Sequence, residues 1–188
     1  MTFLYIHGFN SDGEGWKAEA LRRQFPAATV LAPDFPADPT EVQALLAEYI
    51  AAYRAPNFVL IGTSLGGFYA YCGSARYQLP ALLFNPSLTP HQTLAGRGIG
   101  HFKTWTGQRD YHFQAAYLPV LAAQRAAADE TVNPRLLRFY LATDDEVLDH
   151  TALPDLFPTS SISWLAGAGH RFSKFEKVLK TEKKAGWL

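Results

Sequence analysis

A chain of 188 residues with 48% hydrophobic and 18% charged residues can build one domain with a sizeable core and is too apolar to be a disordered segment. Its 17 basic and 17 acidic residues give a formal net charge of zero, which argues against electrostatic capture by nucleic acid or an anionic membrane and leaves small anionic ligands open. The lone cysteine, Cys72, excludes an intrachain disulfide; residues 2–6 are too short for a signal-peptide core and no stretch is long enough to span a bilayer, so a soluble cytoplasmic protein is expected.

Thr2 to Ile6 reads as the first strand. It runs into His7-Gly8-Phe9-Asn10-Ser11-Asp12-Gly13, a loop rich in glycine and Asx turn chemistry. A helix is predicted over Trp16–Gln24 and a strand over Ala28–Leu31, ended by Ala32-Pro33-Asp34. Asp38-Pro39-Thr40-Glu41 is a helix start: a capping aspartate, proline at the first position and a glutamate to complete a capping box. Val42, Leu45, Leu46, Tyr49, Ile50 and Tyr53 then form one apolar stripe.

Phe58 to Ile61 is a short, wholly apolar run that predicts a central strand buried on both faces. Gly62-Thr63-Ser64-Leu65-Gly66 follows, with Leu65, Phe68, Tyr69 and Cys72 recurring at helical spacing. A G-x-S-x-G between a strand and a helix is the setting of a nucleophile elbow. The turn is so sharp that side chains at 62 and 66 are expected to collide with the neighbouring strand and helix. The bland alternative is a glycine–serine turn, and the flanking strand and helix weigh against it.

Pro80 to Phe84 is a further strand, followed by Asn85-Pro86-Ser87. Residues 88–135 are the least regular part and read as a small cap-like insertion over the sheet edge, with a loop at Gly96–Gly100 and an Ala-rich helix from Leu118 to Ala128. Leu136–Ala142 and Ser161–Leu165 are the last two strands. His170 opens a final helix near Phe172–Lys180; Lys180, Lys183 and Lys184 read as its solvated end. Strands alternating with helices predict an α/β domain over residues 1–188, with a mainly parallel sheet of about six strands and helices on both faces.

In such a sheet, reactive groups gather at the carboxyl ends of strands. Ser64, Asp145 and His170 follow three of them, in the chain order of an α/β-hydrolase triad. Ser64 would be the nucleophile, His170 its base and Asp145 the group that orients His170. The backbone amides of Leu65 and Phe9 are the candidate oxyanion donors. Asp145 is preferred to Asp144 on motif register, with Asp149 a third acid nearby; turn and cap chemistry is the alternative for all three. Without Ser64, His170 would read first as a capping or surface histidine; with Ser64 and Asp145 in place the preference reverses.

His7 reads as a structural residue or a shaper of the oxyanion loop. His91, His101, His112 and His150 have no matching partners in sequence, and no zinc-like spacing is present. Gly96-Arg97-Gly98-Ile99-Gly100 lacks the preceding strand of a dinucleotide loop, and no G-K-[ST] follows a glycine run. Cys72 reads as a buried, inert thiol. The aromatic segment His101, Phe102, Trp105, Tyr111, Phe113 fits an apolar acyl site or plain core, with nothing to choose between them.

These pieces resemble the α/β-hydrolase superfamily and, within it, the small bacterial YqiA-type esterases. The likeness rests on Phe3-Leu4-Tyr5-Ile6-His7-Gly8-Phe9-Asn10-Ser11, Ala32-Pro33-Asp34, Gly62-Thr63-Ser64-Leu65-Gly66-Gly67-Phe68-Tyr69-Ala70 and Phe84-Asn85-Pro86-Ser87. Thr106-Gly107-Gln108, Asp145-Glu146-Val147-Leu148-Asp149 and Gly169-His170-Arg171-Phe172 complete it. The resemblance implies a compact sheet lacking the first two strands of larger hydrolases, carboxylester hydrolysis, no cofactor, and the roles given above for Ser64, Asp145 and His170; the spacing of the histidines predicts no metal. Asp144 stands where the family pattern has glycine. A small-molecule ester is the expected substrate, a thioester such as an acyl-CoA the nearest variant, and a non-catalytic small-ligand-binding protein on the same fold the rival of another class.

Overall fold

The computed structural model describes residues 1–188. In chain order the elements are β1 (Thr2–Ile6), α1 (Trp16–Gln24), β2 (Thr29–Leu31), α2 (Pro39–Tyr53), β3 (Phe58–Thr63), α3 (Leu65–Tyr77), β4 (Ala81–Phe84) and α4 (Pro90–Thr93). They continue with β5 (Gly100–Lys103), β6 (Asp110–Phe113), α5 (Tyr117–Thr131), β7 (Leu137–Ala142), α6 (Leu153–Leu156), β8 (Ser161–Leu165) and α7 (Phe175–Lys184).

Six strands form one wholly parallel sheet in the order β2-β1-β3-β4-β7-β8. The apolar strands divide their side chains by the period of two. Leu4, Ile6, Phe58 and Leu60 point into a core shared with α2, α3 and α5. Phe3, Tyr5, Val59 and Ile61 point into a second core under α1 and α7. A run with no polar residue is therefore what a two-sided strand requires.

The chain moves outward from β1 to β2, then crosses back to β3 and continues the other way. The switch point lies between β1 and β3, where the carboxyl ends open a crevice between diverging connections. The loops after both strands, including the loop from His7 and the Ser64 turn, meet there.

Three local expectations change. At α2 the Asp38 carboxylate accepts from the Thr40 amide, 2.8 Å, and Pro39 takes the first turn, as read; Tyr53, however, leaves the core stripe, is 47% exposed and stacks on Tyr49. The last helix begins at Phe175 rather than Phe172, because Gly169 and Phe172 sit at φ of 57° and 55°. Left-handed residues cannot start a right-handed helix, so His170 lies on a tight loop instead. At the far end, Lys183 is not merely solvated: its ammonium donates to Gln24 O, 2.7 Å, at the carbonyl end of α1.

The region 88–135 is less of a cap than its sequence suggests. α5 is the crossover helix between β4 and β7, with Leu121 and Ala128 in the core beside α2 and α3. The true excursion is the antiparallel hairpin β5–β6, which the glycines at 96–100 disguise as a loop. It folds over the strand ends rather than the sheet edge: Phe102, Tyr111 and Phe113 pack edge-on against Phe9. Its turn is clamped to the early loop, with Arg109 Nε 2.9 Å from Asp12 Oδ1 and its guanidinium donating to Ser11 O, 2.8 Å. The aromatic segment thus splits. Tyr111 and Phe113 are core, whereas Phe102 and Trp105 face the crevice.

Candidate active site

Ser64 is held at φ 55° and ψ −120°, a strained conformation for a residue with a side chain. The crowding behind it is backbone on backbone. A Cβ on Gly62 would overlap the carbonyl of Gly66, and one on Gly66 would overlap the carbonyls of Ile6 and His7. Only glycine lets α3 start this close to β3 and β1. The Ser64 amide donates to Phe84 O, 3.0 Å, and its carbonyl accepts from Gly67, 2.9 Å, and Ser87, 3.0 Å, so neighbouring elements hold the turn.

The structure brings Ser64, His170 and Asp145 into one line. His170 Nε2 lies 3.0 Å from Ser64 Oγ, and His170 Nδ1 lies 2.9 and 3.0 Å from the two Asp145 oxygens. A carboxylate only accepts, so Nδ1 carries the proton and Nε2 is left to accept from the serine hydroxyl. Asp145 also accepts from the Val147 and Leu148 amides, 2.8 and 2.9 Å. Burial works to raise its pKa, but hydrogen bonds from His150, His170, Leu148 and Val147 together outweigh that and hold it well below the usual carboxylate range.

The three consecutive acids divide the work. Asp144 accepts from the Ala168 amide, 3.1 Å; Asp145 takes the imidazole; Glu146 accepts from the His170 amide, 2.9 Å. All three tie the loop after β7 to the loop after β8. Asp149 accepts from Thr151, 2.9 Å, in an exposed turn and takes no part.

Two residues at the site were not legible as members of it. His150 lacks a partner in sequence, yet it is buried and donates from Nε2 to Asp145 Oδ2, 3.0 Å, so Asp145 is shared by two imidazoles. Its position in the same loop, five residues on, was the only sign. Asn85 is fully buried: its amide donates to Gly169 O, 2.9 Å, and His170 O, 3.2 Å, while its oxygen accepts from Ala142 N, 2.8 Å. It fastens the His170 loop to the sheet. An asparagine at a strand's carboxyl end was the available sign.

The amides of Phe9 and Leu65 donate to no acceptor in the protein, and both residues line the same cavity as Ser64 Oγ. The cavity measures about 560 Å³, with Leu94, Phe102 and Leu148 on its apolar wall. His7 is not in it. It is buried, accepts from Phe35 N at Nε2, 2.8 Å, and approaches Gly8 O through Nδ1, 2.9 Å, which shapes the loop carrying Phe9.

Burial pulls the His7 imidazole below its usual value, with the Gly8 carbonyl opposing. The fold therefore favours neutral His7, and the unfolded chain protonates first as pH falls. Stability from this group is complete above about pH 6.5 and drains as pH drops below it. Urea midpoints measured from pH 7 to pH 5 are expected to fall more steeply for the native chain than for His7→Gln, which has no imidazole to titrate; equal slopes would refute this.

Cys72 is buried and inert as read, its thiol pushed up by burial. His101 and His112 stack on each other across the hairpin, centroids 3.6 Å apart. No group of three or more His, Cys, Asp or Glu is placed to hold a metal, and no helix is long and apolar enough to cross a membrane.

A model of an uncharacterised protein family, UPF0227, matches residues 2–184. A UPF0227 protein of Vibrio parahaemolyticus is 25% identical over 186 residues, 96% of each chain, and one of Vibrio campbellii is 24% identical over the same span and coverage. Among solved structures, Est1E from Butyrivibrio proteoclasticus superposes with a TM-score of 0.74 at 16% identity, covering 99% of this chain and 86% of that one. A monoacylglycerol lipase from Paleococcus ferrophilus gives 0.72 at 13%, covering 98% and 93%. The esterase domain of a Rhodothermus marinus protein gives 0.67 at 20%, covering 97% and 86%. At these identities the likeness is one of fold, and the fold is that of the α/β-hydrolases.

Proposed function

The chain belongs to the UPF0227 family, and from that premise and the site's geometry we propose that it is a serine hydrolase cleaving carboxylic esters through an acyl-enzyme. The observation that carries this is the continuous line from Ser64 Oγ through His170 to Asp145, with every link at 3.0 Å or less at the mouth of one cavity.

Serine is a weak nucleophile until a base takes its proton. His170 Nε2 is in range to do so as Ser64 Oγ attacks the ester carbonyl. The imidazolium then faces the Asp145 carboxylate, which stabilises it without accepting the proton. Negative charge develops on the carbonyl oxygen, where the free Phe9 and Leu65 amides would donate; one such donor is worth about 10²–10³-fold in kcat. His170 returns its proton to the departing alcohol. Water then attacks the acyl-enzyme with the same base. The structural neighbours named as esterases and lipases support ester hydrolysis as the reaction class.

A fluorophosphonate probe tests this without knowledge of the substrate. The folded protein is expected to be labelled stoichiometrically, with the adduct mapped to Ser64 by mass spectrometry. No labelling, or labelling elsewhere, would favour a binding protein on this fold.

A further inference from the structure

The charges lining the cavity do not balance against one another. Its wall holds two carboxylates, Asp12 and Glu14, and both pair with arginines outside it, Asp12 sharing Arg109 with Asp34 at 3.3 Å. Asp12 pairs with Arg109 Nε at 2.9 Å and accepts from Thr106, 2.6 Å; Glu14 forms a two-pronged pair with Arg22, 2.5 and 2.6 Å. The wall also holds the cations Lys17, Arg97 and Arg171, and none of them has a carboxylate partner.

Lys17 is the telling member. It is only 8% exposed and sits in the first turn of α1. Its ammonium makes no hydrogen bond in the protein. It rests instead near the rings of Trp16 and Phe175, 5.0 and 5.8 Å from their centroids. The side chain is largely buried while its ammonium stays open to the cavity, and a charge so poorly solvated and without an acceptor in the protein is suited to one supplied by a ligand. Burial, and then the charge of Arg171, pull the ammonium down to about 7. Two further features favour negative charge here. Gly15 gives α1 no side-chain cap, so its first amides are free. Arg171 directly follows His170, so its charge stands beside the reacting centre, its guanidinium 5.9 Å from the Trp105 ring.

We propose that the substrate of this site carries an anionic group, a carboxylate or phosphate, and that Lys17 and Arg171 bind it while Phe9, Leu94, Phe102 and Leu148 hold its apolar part. The proposal rests on the hydrolase reading above and names the substrate class of the same site. It also explains how a chain of zero net charge can present a locally cationic pocket: the compensating acids are tied up in ion pairs that pin the early loop to the hairpin and to α1.

The test uses two matched substrate pairs. Mono-p-nitrophenyl adipate against p-nitrophenyl hexanoate places the charge on the acyl side. Butyryl-coenzyme A against the butyryl thioester of N-acetylcysteamine places it, as phosphate, on the leaving-group side. In at least one pair kcat/KM is expected to favour the anionic member by about tenfold or more, the scale of one charge-assisted hydrogen bond. Lys17→Met and Arg171→Met should each collapse that ratio toward one, while Lys177→Met, on the exposed face of α7, should leave it. Arg171 is exposed, so its variant reads the site even if the buried Lys17 cannot be replaced.

Turnover of the neutral members with no anionic preference in either pair would overturn the anion site and leave the hydrolase intact. Calorimetry separates the converse case. Adipate or coenzyme A binding more tightly than hexanoate or N-acetylcysteamine, with that preference lost in Arg171→Met, would uphold the site even if no ester were cleaved. Neither turnover nor preferential binding would overturn both readings.

Discussion

Ser64→Ala is expected to lower kcat for p-nitrophenyl butyrate by on the order of 10⁴-fold or more, with KM little changed. The side chain makes one hydrogen bond, to His170 Nε2, and its loss leaves the imidazole a proton acceptor with nothing to activate. The backbone that presents it is held independently, through Phe84 O, Gly67 N and Ser87 N, so alanine inherits the same turn. The free Phe9 and Leu65 amides remain, and any residual rate measures them and substrate binding alone. Steady-state kinetics on native and variant chains, with melting temperatures to confirm the fold, would decide it. A variant that kept more than about a tenth of the rate would remove Ser64 from the chemistry, because a lost nucleophile cannot cost so little.

Asp145→Asn is expected to cost about 10⁴-fold in kcat for the same ester. The amide can offer N–H where the carboxylate only accepted. The imidazole can then place its proton on Nε2, where it blocks the Ser64 hydroxyl. The loss of charge also removes what stabilises the imidazolium. Asp144→Asn supplies the contrast. An amide oxygen can still accept from Ala168 N, so the expected loss is below about tenfold, the scale of one neutral hydrogen bond. If Asp144→Asn were the deeper lesion, the orientation of His170 would have to come from the neighbouring acid, against the 2.9 Å contact with Asp145.

Acid stability bears on the same residue. The folded pKa of Asp145 is depressed, so its contribution is present above the unfolded value near 3.9 and is lost as pH falls toward the folded one. Both imidazoles that face it hydrogen-bond the carboxylate and favour its charged form. Sharing one acid between His150 and His170 thus fixes the carboxylate from two sides, and the rotamer that meets His170 is set by packing rather than left to solvent.

Much of the molecule was legible in one dimension because its determinants are local. The apolar strands Thr2–Ile6 and Ser161–Leu165 and the helix Trp16–Gln24 form where composition and spacing place them. The Asp38-Pro39 start works through the amide two residues on. The elbow was legible because Gly62, Ser64 and Gly66 form a pattern within five residues, although only the Gly62 crowding is local and the Gly66 crowding comes from the carbonyls of Ile6 and His7. The parallel sheet follows from alternation, since parallel neighbours need a crossover between them.

What tertiary structure alone decided is how distant segments share a site. Composition sees the hairpin's glycines and aromatics but not that Phe9, from the first loop, is the surface on which Phe102, Tyr111 and Phe113 settle. Periodicity made α5 and the hairpin look like one irregular insertion, because a crossover helix and an excursion differ only in what they pack against. The start of α7 moved to Phe175 because Phe172 is drawn onto Phe84 at a backbone angle no propensity predicts. The acid of the line, the buried partner His150, the Asn85 strut and the unpaired Lys17 all depend on contacts between segments separated in the chain or folded back by a loop. Residue type and order determined which chemistry this chain could perform. Distances of about 3 Å between those segments, set by the packing of two cores against one twisted sheet, determined which residues are placed to perform it.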